Sequence, residues 1–306
     1  MTNKENPIEI FNKMREDFLS YYDTQFFIND NLVLKERREL IKTDGVMSQS
    51  PQLELLKNYE VVKGNSPLEA NNSVFEKASL DSSFIDYLNN SLFSSEGNVF
   101  AMYEHQAESL IKSQSEKNII LTTGTGSGKT EAMYLPILKN LLEEAKTWDT
   151  YQSQENNYWF QNQDLIYEDE INIFQRCKEN RPSAIRCLML FPLNALVEDQ
   201  KIRLRKLFTG PANEKLKKLI NDNQIYFGSY TSKTPGSPNI YSYENKRTFN
   251  SLKNKLNQNY EQYQDIKGYP NIGDDIYTVD SFEGGEMWSK PDMQYNPPDI
   301  LISNYS

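Results

Sequence analysis

Thr123-Gly124-Thr125-Gly126-Ser127-Gly128-Lys129-Thr130 is the stretch whose reading decides the fold. Glycines there let backbone N–H groups converge on a phosphate without Cβ clashes. Asn118-Ile119-Ile120-Leu121-Thr122 precedes it, short, apolar and β-branched, and reads as a buried strand. Glu131-Ala132-Met133-Tyr134-Leu135 follows and reads as a helix start. Strand, glycine loop and helix form the context of a phosphate-binding loop, with the helix N-terminus adding partial positive charge. Lys129 is placed for the β- and γ-phosphates, and the Thr130 hydroxyl for Mg²⁺. Thr123 stands where glycine is usual, while Gly124, Gly126 and Gly128 are kept. The nucleotide-contacting set therefore runs from Thr123 through Thr125, Ser127 and Lys129 to Glu131.

Working outward, Met102-Tyr103-Glu104-His105-Gln106 lies upstream of the loop. Tyr103, Ala107, Leu110 and Ile111 fall on one helical face, with Gln106 at its edge. An amide donates and accepts at once, which suits adenine's N6 and N7 edge. A solvated helix-edge glutamine is the ordinary alternative. Downstream, Cys187 to Leu190 reads as a second apolar strand and leads into Phe191-Pro192-Leu193-Asn194-Ala195-Leu196-Val197-Glu198-Asp199-Gln200. Leu193, Leu196, Val197, Leu204, Leu207 and Phe208 predict a helix ended by Gly210-Pro211. Its Lys201, Arg203, Arg205 and Lys206 are either a solvated face or a phosphate-facing one. Gln224–Ser229 and Asp299–Ser303 complete four expected strands. Apolar strands separated by helices mark a parallel sheet.

These segments, with the terminal Asp299-Ile300-Leu301-Ile302-Ser303-Asn304, resemble the Q motif, motif I, motif Ia and motif Ib of superfamily 2 helicases of the DEAD/DEAH-box kind, in the family's order. Glu283 to Met293 and the Pro-Pro-Asp-Ile run after it are similar to bacterial helicases encoded in phage-defence loci. The resemblance implies a RecA-like P-loop NTPase domain that takes ATP and Mg²⁺, with Lys129 catalytic, Thr130 at the metal and Gln106 on adenine. It implies nucleic-acid backbone contacts from Asn194, Thr231, Ser303 and Asn304, which fix position without reading base sequence. The possible partners are nucleic acid, DNA or RNA, and other subunits of a defence or repair system. The family's Asp-Glu pair is not matched in the expected order; Asp169-Glu170 imitates it between motifs I and Ia. The domain is therefore expected to be incomplete, the N-terminal part of a longer helicase, and the chain alone is expected to bind ATP without turning it over. A non-catalytic ATP- or nucleic-acid-binding module and a different P-loop enzyme are the competing readings; the Ia and Ib matches weigh against the latter.

Residues 1–95 carry no such motif. Ile8, Phe11, Phe18, Leu19 and Tyr22 predict an amphipathic helix broken only by Arg15; Leu32 to Ile41 predicts a second, and Phe84 to Phe93 another. The expected organisation is a helical accessory region, 1–95, and an α/β domain, 96–306, with insertions at 148–181 and 234–298. Composition sets outer bounds. The 306 residues are 38% hydrophobic and 25% charged, as in globular proteins. No stretch approaches the ~20 apolar residues of a membrane span. Two cysteines without metal spacing and no apolar leader point to a reducing cytoplasm. The net charge of −10 means that any nucleic-acid contact is local.

Overall fold

The computed structural model describes residues 6–52, 58–95, 98–115, 118–150, 158–161, 175–176, 179, 181–237, 246–270 and 272–305. The chain divides into two compact units, Met1–Asn58 and Tyr59–Ser306. The division falls well before the 95/96 boundary expected from sequence. Residues 59–95 share a core with the P-loop helix, because Phe75, Phe84, Leu88 and Phe93 are buried in the same cluster as Leu135, Leu138 and Leu142.

The first unit holds two helices, α1 (Pro7–Gln25) and α2 (Asn31–Lys42). Asn6 and Asp30 cap them through their side chains. Arg37 and Arg38 both reach Asp23 at 2.5 Å, tying the helices together. Arg15, the polar break in the apolar stripe, donates to the carbonyl of Lys42.

The second unit begins with α3 (Pro67–Lys77), α4 (Ser82–Ser91), a small antiparallel pair β1 (Ser94–Ser95) and β2 (Asn98–Val99), and α5 (Glu104–Ser113). The P-loop helix α6 (Lys129–Ala145) follows, then β3 (Cys187–Phe191), α7 (Asn194–Phe208), α8 (Gly210–Leu219) and β4 (Phe227–Tyr230). Last come α9 (Lys246–Lys267), α10 (Lys290–Tyr295) and β5 (Ile300–Asn304). The strands form one parallel sheet in the order β3-β5-β4, with Cys187 and Phe227 both in register with Ile300. Cys187, Met189, Ile300, Ile302 and Phe227 face the main core with α7. On the other face Met293 and Met287 close on Gly228, where a Cβ would meet the Met293 sulfur at 2.6 Å. Leu188 and Leu190 of β3 on that face remain exposed.

Three of the four expected strands form. The fourth, Asn118–Thr122, does not: it has no ladder partner among the described residues, and Ile120 is 86% exposed. A strand exists through a neighbour that satisfies its N–H and C=O groups, and an apolar β-branched run cannot supply that by itself.

The two segments expected to be insertions meet. Trp159 and Phe160 of the first pack with Phe249, Leu252, Leu256, Tyr263, Phe282 and Trp288 of the second as a separate aromatic core. Phe282 and Trp288 stack at 5.0 Å, and Trp159 Nε1 donates to buried Asp292 at 3.0 Å. Burial pushes the Asp292 carboxyl up to about 6. Arg205 of α7, fully buried, anchors the second insertion by two N–H bonds to Glu286 and one to Asp280. Asp169-Glu170 of the first segment lies outside the described residues.

Asp299 sets the sheet. It is fully buried, and its carboxylate accepts from Arg181 at 2.6 and 3.1 Å, Arg186 at 2.8 Å and the Tyr226 amide at 2.8 Å. Its own carbonyl accepts from Arg186 and Cys187, and its N–H donates to Tyr226. The central strand is thus fixed to both neighbours by the residue just before it. Asp299→Ala removes the buried anion that Arg181 and Arg186 share, leaving Glu179 and Glu144 as their remaining partners, and is expected to cost about 3–5 kcal/mol, read from urea unfolding of the chain. A loss below about 1 kcal/mol would mean that the clamp behaves as a surface pair.

Candidate functional site

The P-loop is held from behind by the turn that opens α5. Tyr103 is the N-cap, and the Gln106 side chain accepts the Tyr103 N–H at 2.8 Å, half of a capping box. The other end of the same amide donates to Gly128 O at 3.0 Å. His105 Nε2 lies 2.8 Å from Ser127 O, so that nitrogen carries the proton. Tyr103 stacks on His105 at 5.6 Å, and Tyr59 meets both rings edge-on. The Tyr59 hydroxyl accepts the Gly124 N–H at 2.9 Å. Inside the loop, the Thr123 and Ser127 hydroxyls are 2.7 Å apart.

Gly126 and Gly128 both have positive φ, 71° and 72°. The amides from Thr125 to Glu131 meet no protein acceptor among the described residues; the first bond of α6 runs from Ala132 N to Gly128 O. A ring of open N–H groups at a helix N-terminus fits an anion, and a glycine cradle fits one that approaches the backbone closely. Lys129 Nζ donates to Thr123 O at 2.8 Å and to Gly124 O, so a phosphate would compete with the loop's own carbonyls for this ammonium. Thr130 is half-buried beside it. Glu131 pairs with Arg203, which ties α6 to α7. Val61, Phe100, Tyr103, Gln106, Arg203 and the loop from Gly126 to Glu131 line a cleft of about 650 Å³.

The four residues expected at a nucleic-acid backbone gather at the carboxyl ends of the strands, where α/β folds place ligands. Asn194, the first residue of α7, accepts from Asn304 Nδ2 at 3.0 Å. Ser303 Oγ donates to Tyr230 O at 2.7 Å. Thr231 is buried, and its hydroxyl accepts the Lys233 N–H at 3.2 Å, closing its own turn.

Gln106 is 4% exposed and bonded at both ends of its amide, so it stands behind the loop rather than at an open helix edge. One N–H and one lone pair of that amide are still available. Sequence reading missed Tyr59, which is 65 residues from its partner Gly124, and Arg203, which belonged to an undivided basic face. Only a contact map separates Arg203, on Glu131, from Arg205, buried under the insertion.

A matched pair of variants tests the brace. In Gly126→Ala the new Cβ meets nothing within 4 Å, leaving only the left-handed backbone cost of about 1–2 kcal/mol. In Gly128→Ala the Cβ falls 2.3 Å from Gln106 Nε2, so the glutamine must also move. Urea unfolding is expected to show the larger loss for Gly128→Ala, and most of the difference should vanish in a Gln106→Ala background. Equal losses would contradict a rigid Gln106–Gly128 contact.

The model of the DEAD/DEAH box helicase family matches residues 103–267, from the turn that braces the loop through α9. The chain is similar to Druantia protein DruE of Escherichia coli (strain UMEA 4076-1), 24% identical over 331 aligned positions that take in 96% of this chain and 16% of that protein. It therefore spans less than a fifth of the length of this relative. No solved structure matches it. With the family model covering more than half of its residues, and the loop, its brace and the parallel sheet in place, the chain belongs to the DEAD/DEAH box helicase family.

Proposed function

We propose that this chain is the nucleotide- and nucleic-acid-binding part of an ATP-dependent helicase or translocase. The observation that carries the reading is the open amide ring from Thr125 to Glu131, braced by Gln106 and served by Lys129. ATP with Mg²⁺ would supply the phosphoanhydride whose cleavage drives movement. The glycine loop would cradle the β-phosphate, Lys129 would hold the β- and γ-phosphates, and Thr130 would reach Mg²⁺. Gln106 would offer its remaining N–H and lone pair to adenine, with the cleft beside Phe100 and Val61 taking the base. Asn194, Ser303, Asn304 and the turn at Thr231 would face the backbone of a strand crossing the top of the sheet. The similarity to Druantia protein DruE supports a place among other subunits, in a defence or repair system.

Two measurements test these roles separately. Lys129→Ala is expected to weaken a fluorescent ATP analogue with Mg²⁺ by roughly ten- to a hundredfold, as loss of a hydrogen bond from a charged group does. ATP should compete more strongly than GTP. Unchanged binding would remove Lys129 from the phosphate site, and equal competition would remove Gln106 from adenine. For the strand, Asn194→Ala with Asn304→Ala is expected to weaken single-stranded oligonucleotides of differing sequence to the same degree, because backbone contacts carry no base information. Selective loss for one sequence would contradict a backbone role. Thr231 is left intact because its hydroxyl closes its own turn.

A further inference from the structure

Beside the turn that follows β4 lies a pocket of about 240 Å³ whose far wall belongs to the second insertion. Ser229, Lys233 and Thr234 line it together with Lys201 of α7 and Lys255 and Asn259 of α9. Three carboxylates also line it, and each is already engaged. Glu286 is held by two Arg205 N–H groups, Asp280 by Arg205 and by Lys201 at 2.8 Å, and Glu198 lies 3.4 Å from Lys201. Lys233 and Lys255, by contrast, have ammonium groups with no ion pair or hydrogen bond among the described residues, and the Ser229 hydroxyl has no partner there either. Two unpaired lysines converging on one pocket stand out in a chain of net charge −10.

The lysine from the insertion sits on a rigid support. Leu252 and Leu256 pin one face of α9 into the aromatic core, while Lys255 and Asn259, four residues apart, share the face that opens on the pocket. The pocket lies at the carboxyl end of β4, which pairs in parallel with β5, the strand that presents Ser303 and Asn304. We propose that it seats a backbone phosphate of the bound strand, with Lys255 of the insertion and Lys233 of the turn as its cations and the Ser229 hydroxyl as a donor. The insertion is then a second wall of the nucleic-acid track. This rests on the nucleic-acid reading above and adds residues that lie apart from Asn194 and Asn304.

The test is anisotropy of a short fluorescent oligothymidine with the full chain over a series of salt concentrations. Lys233→Ala with Lys255→Ala is expected to weaken binding several-fold at low salt and to flatten the dependence of log K on log salt by about 0.7, the share of one single-strand phosphate contact. Lys218→Ala, on an exposed lysine of α8, should change neither. ATP-analogue affinity and melting temperature, measured on the same variants, should match the parent because both lysines are exposed. A parent that binds no oligonucleotide would overturn the nucleic-acid reading and this seat with it. A parent that binds, with a double variant that binds equally well and with the same salt slope, would overturn the seat alone. So would an equal loss in Lys218→Ala, which would reduce the effect to general charge.

Discussion

The buried carboxylate of Asp299 is the constraint on which the rest of the second unit depends. A lone ionised carboxylate inside a protein is costly, and here four N–H groups from three residues offset that cost. The donors come from both sides of the strand that follows Asp299: Arg181 and Arg186 lead into β3, and Tyr226 leads into β4. One side chain thus fixes which strand is central and in what register. Trp148 completes the clamp, with the Arg181 guanidinium 3.8 Å from its ring centre. Because a strand advances a fixed distance per residue, pinning Asp299 also fixes where Ser303 and Asn304 emerge at the far end. Asn304 then meets Asn194, and Ser303 meets the end of β4.

A second constraint acts on the P-loop. Its glycines make it permissive, so its shape has to come from outside. Gln106, His105 and Tyr59 supply that shape by holding Gly128 O, Ser127 O and the Gly124 amide. All three belong to the turn opening α5 or to the short segment paired with it, where Val61 bridges Tyr103. The same turn therefore closes a helix, packs aromatic rings and aims the loop amides outward. Glu131 and Arg203 carry this arrangement to α7, the helix that begins with Asn194. This ion pair links the helix after the loop to the helix that begins with Asn194, beside the core the two helices share. Arg203 is more than a third exposed, so the pair's worth lies in position more than in stability.

The two segments expected as insertions build a core of their own. Their aromatic core is separate from the main one: Arg205 with Glu286 and Asp280 joins the second to α7, and Asp292 with Trp159 and Gln175 joins the two segments to each other. Such directional contacts specify a single docking geometry between two cores, which apolar packing alone does less sharply.

The sequence by itself determined the phosphate loop, the helices around it and three parallel strands, because each rests on local chemistry. Glycine spacing, apolar period and caps such as Asn6, Asp30 and Ser66 act within a few residues of where they stand. Tertiary structure decided what depends on partners far along the chain. Asn118–Thr122 has the composition of a strand and forms none, since a ladder needs a neighbour that composition cannot provide. The unit boundary fell after Asn58, because burial of α3 and α4 is settled by the faces that meet them. Arg203 and Arg205 looked alike in one basic helix; one lies beside the P-loop and the other is buried under an insertion. Gln106 was legible as an amide at the right place. That it holds the loop from behind depended on Gly128, 22 residues away, whose missing Cβ leaves the space that amide occupies.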